Sequence, residues 1–148
     1  MEASLIVYSI YLFLAVFNAG NMLTLQIQHY GIYSFIAKEG FKEYMTANNK
    51  AAVVPSILPA ILLLIINIIL VFYRPAFMSL TIAIVSFLLN IIAMASTFIW
   101  QRKLQGQMAV EGYNENKINL LTSTNRIRTI AFLTEGIIAV AVIINAVK

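Results

Sequence analysis

Three ionisable side chains lie inside or at the ends of apolar segments, and their types suit acid–base chemistry. His29 and Glu135 are candidate proton acceptors, and Arg128 is a candidate partner for developing negative charge, which predicts catalytic roles for all three. An unpaired carboxylate among apolar residues is costly, so Glu135 is expected to be protonated, partnered or facing water. Arg128 precedes it by about 10 Å of helix, so pairing requires the Arg side chain to reach inward. The alternatives are an interfacial anchor for His29 and a structural hydrogen bond for Glu135.

Amide side chains form polar stripes on the same segments. With 3.6 residues per helical turn, Asn18, Asn21 and Gln28 share a face with His29, and Asn90 belongs to a second stripe of small and polar residues. One interpretation is a polar cavity in which Asn18, Asn21, Gln28 and Asn90 bind a ligand. The other is interhelical hydrogen bonding, at about 1 kcal/mol per bond.

The residue inventory excludes several classes of site. The chain has no Cys and no Asp, and His29 is its single His, so disulfides and thiol chemistry are excluded and no metal site is predicted. No pattern indicates a particular cofactor. The net charge of +4 comes from basic residues that flank apolar segments, not from a basic stripe interleaved with aromatics, so no nucleic-acid partner is expected.

The elements that must position these side chains are membrane-spanning helices. Of 148 residues, 61% are hydrophobic and 11% are charged, and no charged residue occurs between positions 5 and 37, 51 and 73, or 75 and 101. Each stretch accommodates the roughly 20 residues that cross a bilayer. The sequence therefore predicts a single all-α membrane domain over residues 1–148, an antiparallel bundle of four transmembrane helices at about 5–28, 52–73, 76–100 and 127–147.

The connections between these spans differ in length. Arg74 and Pro75 are expected to form a very short turn that makes the second and third spans a helical hairpin. Residues 101–126, rich in Asn, Gln and charged side chains, form the main polar connection.

The connection after the first span has an amphipathic pattern. Its apolar side is Ile32, Tyr33, Ile36 and Tyr44, and its charged side is Lys38, Glu39, Lys42 and Glu43. The pattern fits a short helix on the membrane surface, but Gly31 and Gly40 weaken it, so an ordinary polar loop is an equal alternative.

The distribution of basic residues predicts an orientation. The two long connections and their flanks hold most of them, whereas the opposite side has only Arg74 and Lys148. The positive-inside rule then places both long connections in the cytoplasm and both termini outside the cell membrane.

The order of short motifs resembles the anthrone-oxygenase-like family, four-helix membrane proteins also known as domain of unknown function 1772. The matching motifs are Leu25-Gln26-Ile27-Gln28-His29-Tyr30, Phe41 and Tyr44, a polar segment with Gly112, and Asn125-Arg126-Ile127-Arg128-Thr129. The resemblance carries over His29, Asn125, Arg128 and Thr129, and implies that Asn125 and Thr129 help to bind a ligand. This chain departs from the family pattern at Gly31, Arg126, Phe132 and Glu135.

Three functions fit these observations. The first is binding of an aromatic or quinone-like hydrophobic molecule, with oxidoreductase-like chemistry at His29, Arg128 and Glu135. The second is a non-catalytic accessory subunit that packs against another membrane protein or a further copy of itself. The third, a small proton-coupled carrier built on Glu135, is disfavoured because the chain supplies few helices for a gated path.

Overall fold

The computed structural model describes residues 3–148 and is almost wholly helical. Its six α-helices are α1 (Ala3–Thr24), α2 (Phe41–Ala51), α3 (Leu58–Phe72), α4 (Leu80–Ser96), α5 (Arg102–Glu111) and α6 (Glu115–Ala146). Three π-helical turns, Leu25–His29, Val53–Ile57 and Thr97–Gln101, extend α1, α3 and α4, and a 3-10 helix covers Tyr30–Phe35.

Four continuous helical segments are long and apolar enough to cross a membrane, which confirms the all-α fold with four spans. They are Ala3–Phe35, Val53–Phe72, Leu80–Glu111 and Glu115–Ala146. Many outward-facing side chains of these segments are large and apolar, such as Phe13, Ile65 and Leu88. Such an exterior is stable only against lipid, so the chain is an integral membrane protein.

The spans form a ring in which α1 contacts α6, α6 contacts α4, α4 contacts α3, and α3 contacts α1. α1 and α6 approach each other closely, since a Cβ placed on Gly136 would lie 3.0 Å from Cβ of Ala19. Small residues at an interface allow this approach in a membrane. One turn further, the Tyr8 hydroxyl donates to the Ala139 carbonyl oxygen at 2.6 Å.

The polar connection at residues 101–126 is helical, which corrects the expectation of a polar loop. The third span continues through α5 to Glu111, and α6 already begins at Glu115, so only the segment around Gly112 is non-helical. Gly112 has φ +93°, a conformation that favours glycine, and the Asn114 side chain accepts from the Lys117 N–H to start α6. A helix of 32 residues is about 48 Å long, so α6 extends beyond the hydrocarbon.

A helical cap covers this end of the bundle. It consists of Tyr30–Phe35, α2, α5 and the first turns of α6, with an interior that includes Tyr30, Phe41 and Met108. A helix does follow the first span, but it begins at Phe41, because Ile36 is extended with ψ 132°. Of the two alternatives, the short helix is therefore the one present, and it packs on the protein through the buried side chains of Phe41 and Met45.

The hairpin between the second and third spans lies at the opposite end of the bundle. Residues 73–79 form it, and α4 starts at Leu80, four residues later than predicted, because the Ser79 side chain accepts from the Ile82 N–H. The rings of Phe77 and Tyr8 meet edge to face, which places the start of α1 at the same end as this hairpin. The predicted antiparallel arrangement is therefore present.

Candidate functional site

A cavity of about 210 Å³ lies where the cap meets the membrane spans. Residues from all three π-helical turns line it, and π turns are frequent at functional sites. Its polar and charged lining consists of Asn21, His29, Tyr30, Asn48, Asn49, Ser56, Thr97, Gln101, Arg102, Gln105 and Arg128. Within the described chain, no Asp or Glu lines it.

Two prolines shape the wall of the cavity that precedes α3. Pro59 has no N–H, so the carbonyl oxygen of Pro55 loses the donor that a regular helix would supply four residues later. Asn21 replaces that donor, because its Nδ2 lies 2.8 Å from the Pro55 oxygen. Asn18 donates to the Pro59 oxygen at 3.3 Å. Of these two predicted ligand-binding residues, only Asn21 lines the cavity.

Arg128 is the most unusual side chain of the cavity. It is only 6% exposed, and its Nη2 donates to the thioether sulfur of Met22 at 3.1 Å. A thioether is a weak acceptor, and Nε of Arg128 has no acceptor within residues 3–148. The ion pair with Glu135 that the sequence allowed is not formed, since the one pair in this part of the chain joins Lys117 and Glu111. The Tyr30 hydroxyl also lies beside the guanidinium, but it is neutral. A buried guanidinium without an anionic partner among the described residues is suited to an oxygen-bearing ligand.

His29 belongs to a hydrogen-bonded chain at the edge of the cavity. Asn48 Nδ2 donates to the Tyr33 hydroxyl oxygen at 3.1 Å, so the hydroxyl proton is free to be donated to Nε2 of His29, 3.0 Å away. In the neutral tautomer that carries its hydrogen on Nδ1, Nε2 of His29 accepts this hydrogen bond. His29 is therefore positioned to accept a proton at Nε2.

Glu135 lies outside the cavity, in a central cluster with Asn67 and Asn90. It is 0% exposed, and its Oε1 accepts from Asn67 Nδ2 at 2.7 Å. Asn90 lies beside it, yet neither amide atom of Asn90 nor Oε2 of Glu135 has a hydrogen-bond partner among the described residues. If Glu135 is protonated on Oε2, that hydroxyl can donate to Oδ1 of Asn90, and both atoms then have a partner. The arrangement therefore favours a neutral Glu135.

Three other predicted ligand-binding residues also lie away from the cavity lining. Asn125 Nδ2 donates to Gln26 Oε1 at 3.0 Å, and the Thr129 hydroxyl contacts the Met22 carbonyl oxygen at 3.4 Å, so both residues join α6 to the first span. Gln28 is exposed. The π turn at Leu25–His29 causes this, because its wider turn shifts the later residues from the regular helical phase used to predict that face.

Several cavity residues were not anticipated from the sequence. Gln101 ends the π turn that precedes α5, and Gln105 lies four residues later in α5. Gln105 O accepts from Asn49 Nδ2 at 3.3 Å, which joins α5 to α2. Their spacing was the available signal, since two amides four residues apart share a helical face. The sequence-based prediction does not use this spacing, because it treats residues 101–126 as a polar connection and not as a helix.

The geometry alone defines this site, because no protein-family model, curated protein or solved structure matches the chain.

Proposed function

We propose that this integral membrane protein binds a small hydrophobic molecule in the cavity and holds an electron-rich oxygen of that molecule with Arg128. One observation carries the proposal: within the described chain, the buried guanidinium has a thioether and the neutral Tyr30 hydroxyl beside it, and no carboxylate pairs with it. Charged donors form hydrogen bonds of about 1.5–3 kcal/mol with good acceptors, so an oxygen here would contribute strongly to affinity.

The charge of the cavity restricts the ligand to molecules that accept hydrogen bonds. Among the described residues, Arg128 and Arg102 line it together with neutral amides and no carboxylate. A carboxylate, phenolate or quinone oxygen fits these donors, whereas a cationic ligand would meet two positive charges.

The size of the cavity favours a ligand with one ring. A cavity of about 150 Å³ accommodates benzene. At about 210 Å³, this cavity has room for a single ring with small substituents. The three fused rings of an anthrone need more room than this volume provides. We therefore propose a single-ring phenol, quinone or aromatic acid as the ligand class.

The resemblance to the anthrone-oxygenase-like family suggests that binding is followed by oxidoreductase-like chemistry. In this proposal, a ring hydroxyl of the ligand transfers its proton to Nε2 of His29, which releases its hydrogen bond with Tyr33. Arg128 then stabilises the resulting oxyanion. The proton transfer leaves a ligand oxyanion beside Arg128 and a protonated imidazole at His29. Glu135 takes no part in this step, because it does not line the cavity.

Arg128→Gln tests the proposal directly. The variant is expected to weaken binding of a substituted 1,4-benzoquinone or 4-hydroxybenzoate at least tenfold, because the charged donor is lost. Dissociation constants of the protein in neutral detergent are measured by titration. The matched control is Arg126→Gln, since Arg126 is exposed, lies two residues away and is not part of the cavity. Equal affinity of Arg128→Gln and wild type, or no binding of either probe, would overturn the proposal.

A role as an accessory subunit is supported by a different observation. An apolar groove of about 430 Å³ runs along the outer face of α1 and α6, beside Val16, Ala19 and Ile137. A helix of another membrane protein, or of a second copy, would fit a groove of this kind. A copurifying partner chain in native mass spectra would support this second function.

We also propose that the cap faces the cytoplasm of a cell whose cytoplasmic membrane holds this protein. The basic residues near the cap outnumber Arg74 and Lys148 at the other end, which supports this orientation.

Because the chain has no Cys, single cysteines report this orientation without interference. In intact cells, a membrane-impermeant maleimide is expected to label Lys148→Cys and to leave Lys103→Cys unlabelled until the membrane is permeabilised. The reverse pattern would show that the cap is outside.

A further inference from the structure

A second concave site lies beside the cavity, between the end of α2 and the start of α5. This outer pocket has a volume of about 310 Å³ and is lined by Asn49, Lys50, Val53, Arg102, Gln105 and Gly106. It shares Asn49, Arg102 and Gln105 with the cavity, so the two sites adjoin. We infer that the outer pocket binds the phosphate group of an anionic phospholipid.

The charges of the outer pocket fit a phosphate. Neither Lys50 nor Arg102 forms an ion pair within residues 3–148, and no carboxylate from these residues lines the pocket. Arg102 offers a planar fork of donors and Lys50 a point charge, a combination that suits phosphate oxygens. The amide groups are already engaged, since Asn49 Nδ2 donates to Gln105 O and Gln105 Nε2 to the Tyr30 hydroxyl. The two cations are thus the free donors that the described chain brings to this pocket.

Other basic residues of the cap are arranged differently. Lys117 pairs with Glu111, the Lys38 ammonium lies over the Tyr113 ring, and the Lys42 side chain packs against Gly112. Lys50 and Arg102, in contrast, line a concave site together. The outer pocket therefore differs from the rest of the basic surface of the cap, because two cations line one concave site there.

The depth of the outer pocket favours a lipid over free phosphate. Lys50 lies three residues before Val53, where the second span begins. A helix that enters at Leu80 crosses the hydrocarbon in roughly 20 residues, which places Arg102 at the same interface. Val54, 70% exposed, extends the adjacent surface toward the acyl chains. The pocket therefore lies where phospholipid headgroups lie.

Native mass spectrometry in neutral detergent tests the inference, with equimolar short-chain phosphatidylglycerol and phosphatidylcholine as probes. Wild type is expected to retain phosphatidylglycerol at least fivefold over phosphatidylcholine. The double variant Lys50→Gln/Arg102→Gln is expected to lose this preference. Lys38→Gln/Lys103→Gln removes equal charge from the same end and is expected to keep it. Circular dichroism confirms that both variants are folded.

Three outcomes would overturn the inference. They are a wild type without the preference, a control that loses it as fully as the pocket variant, and displacement of phosphatidylglycerol by millimolar inorganic phosphate. The last result would identify a site for free phosphate. Lys50→Gln alone separates this inference from the proposed function, because Lys50 lines the outer pocket and not the cavity. It is expected to reduce lipid retention and to leave quinone affinity unchanged.

Discussion

Glu135→Leu is expected to lower the free energy of unfolding by about 2–4 kcal/mol, whereas Glu135→Gln is expected to change it by less than about 1 kcal/mol. The central cluster is fully buried, and Asn67 Nδ2 donates to Glu135 at 2.7 Å. Leu fills similar space but removes the acceptor of Asn67 Nδ2 and the donor that a protonated Glu135 would offer to a neighbouring amide oxygen. Each stranded buried group costs about 1–3 kcal/mol.

Gln is tolerated because the carboxyl group of Glu135 acts as a neutral hydrogen-bonding group. In the Glu135→Gln variant, the new amide oxygen would accept from Asn67, and the new amide nitrogen would donate to a neighbouring amide oxygen that has no partner among the described residues. An ionised Glu135 would instead need a cation, and Arg128 contacts Met22. The ranking of the two variants therefore reports which form of the carboxyl group the bundle holds.

Unfolding in mixed micelles by increasing amounts of sodium dodecyl sulfate, followed by far-UV circular dichroism, measures these differences. Thr134→Leu is the matched control, since Thr134 is the exposed neighbour of Glu135 and the same side chain is introduced. Equal destabilisation by Glu135→Gln and Glu135→Leu would contradict the account, because it would mean that the negative charge is required.

The four spans could be predicted because lipid imposes a simple constraint. Charge-free stretches long enough to cross a bilayer must satisfy their backbone internally, and helices do this. The constraint ends at the membrane surface, which is why the helicity of residues 101–126 was missed. Gly112 is the first residue of that segment with a left-handed φ, and the helix continues until it. Leu104 and Met108, apolar residues of the helical segment before Gly112, are buried in the cap.

The candidate site was only partly predictable, because it depends on contacts between distant residues. A constant helical period places Gln28 beside Asn21, but the π turn breaks that period. Asn21 binds the Pro55 oxygen, a contact that joins two spans and leaves no local trace in the sequence. His29 and Arg128 both line the cavity, and the sequence singles them out because isolated ionisable groups beside apolar segments are informative without any geometry.

Gly136→Leu is expected to destabilise the bundle by about 1–3 kcal/mol or more, because it overpacks the close contact between α1 and α6. A Cβ at this position already meets Ala19 Cβ at 3.0 Å and the Ala15 carbonyl oxygen at 3.4 Å. The second of these atoms is backbone and cannot rotate away, so α1 and α6 must separate. Unfolding in mixed micelles measures the loss.

Gly20→Leu is the matched control, since a Cβ on Gly20 has no neighbouring atom within 4 Å among the described residues. It introduces the same side chain on α1 and is expected to keep wild-type stability. An equal loss from both variants would mean that lipid exposure of Leu, and not helix separation, is the cause.

Separation of α1 and α6 should also affect the cavity, because Arg128 lies on α6 and its sulfur acceptor, Met22, on α1. Gly136 is eight residues from Arg128, about 12 Å along the helix, so it has no direct contact with a ligand there. If the α1–α6 contact positions the guanidinium, Gly136→Leu lowers affinity for a single-ring quinone while Gly20→Leu preserves it. Unchanged affinity in a folded Gly136→Leu variant would show instead that the cap alone positions Arg128.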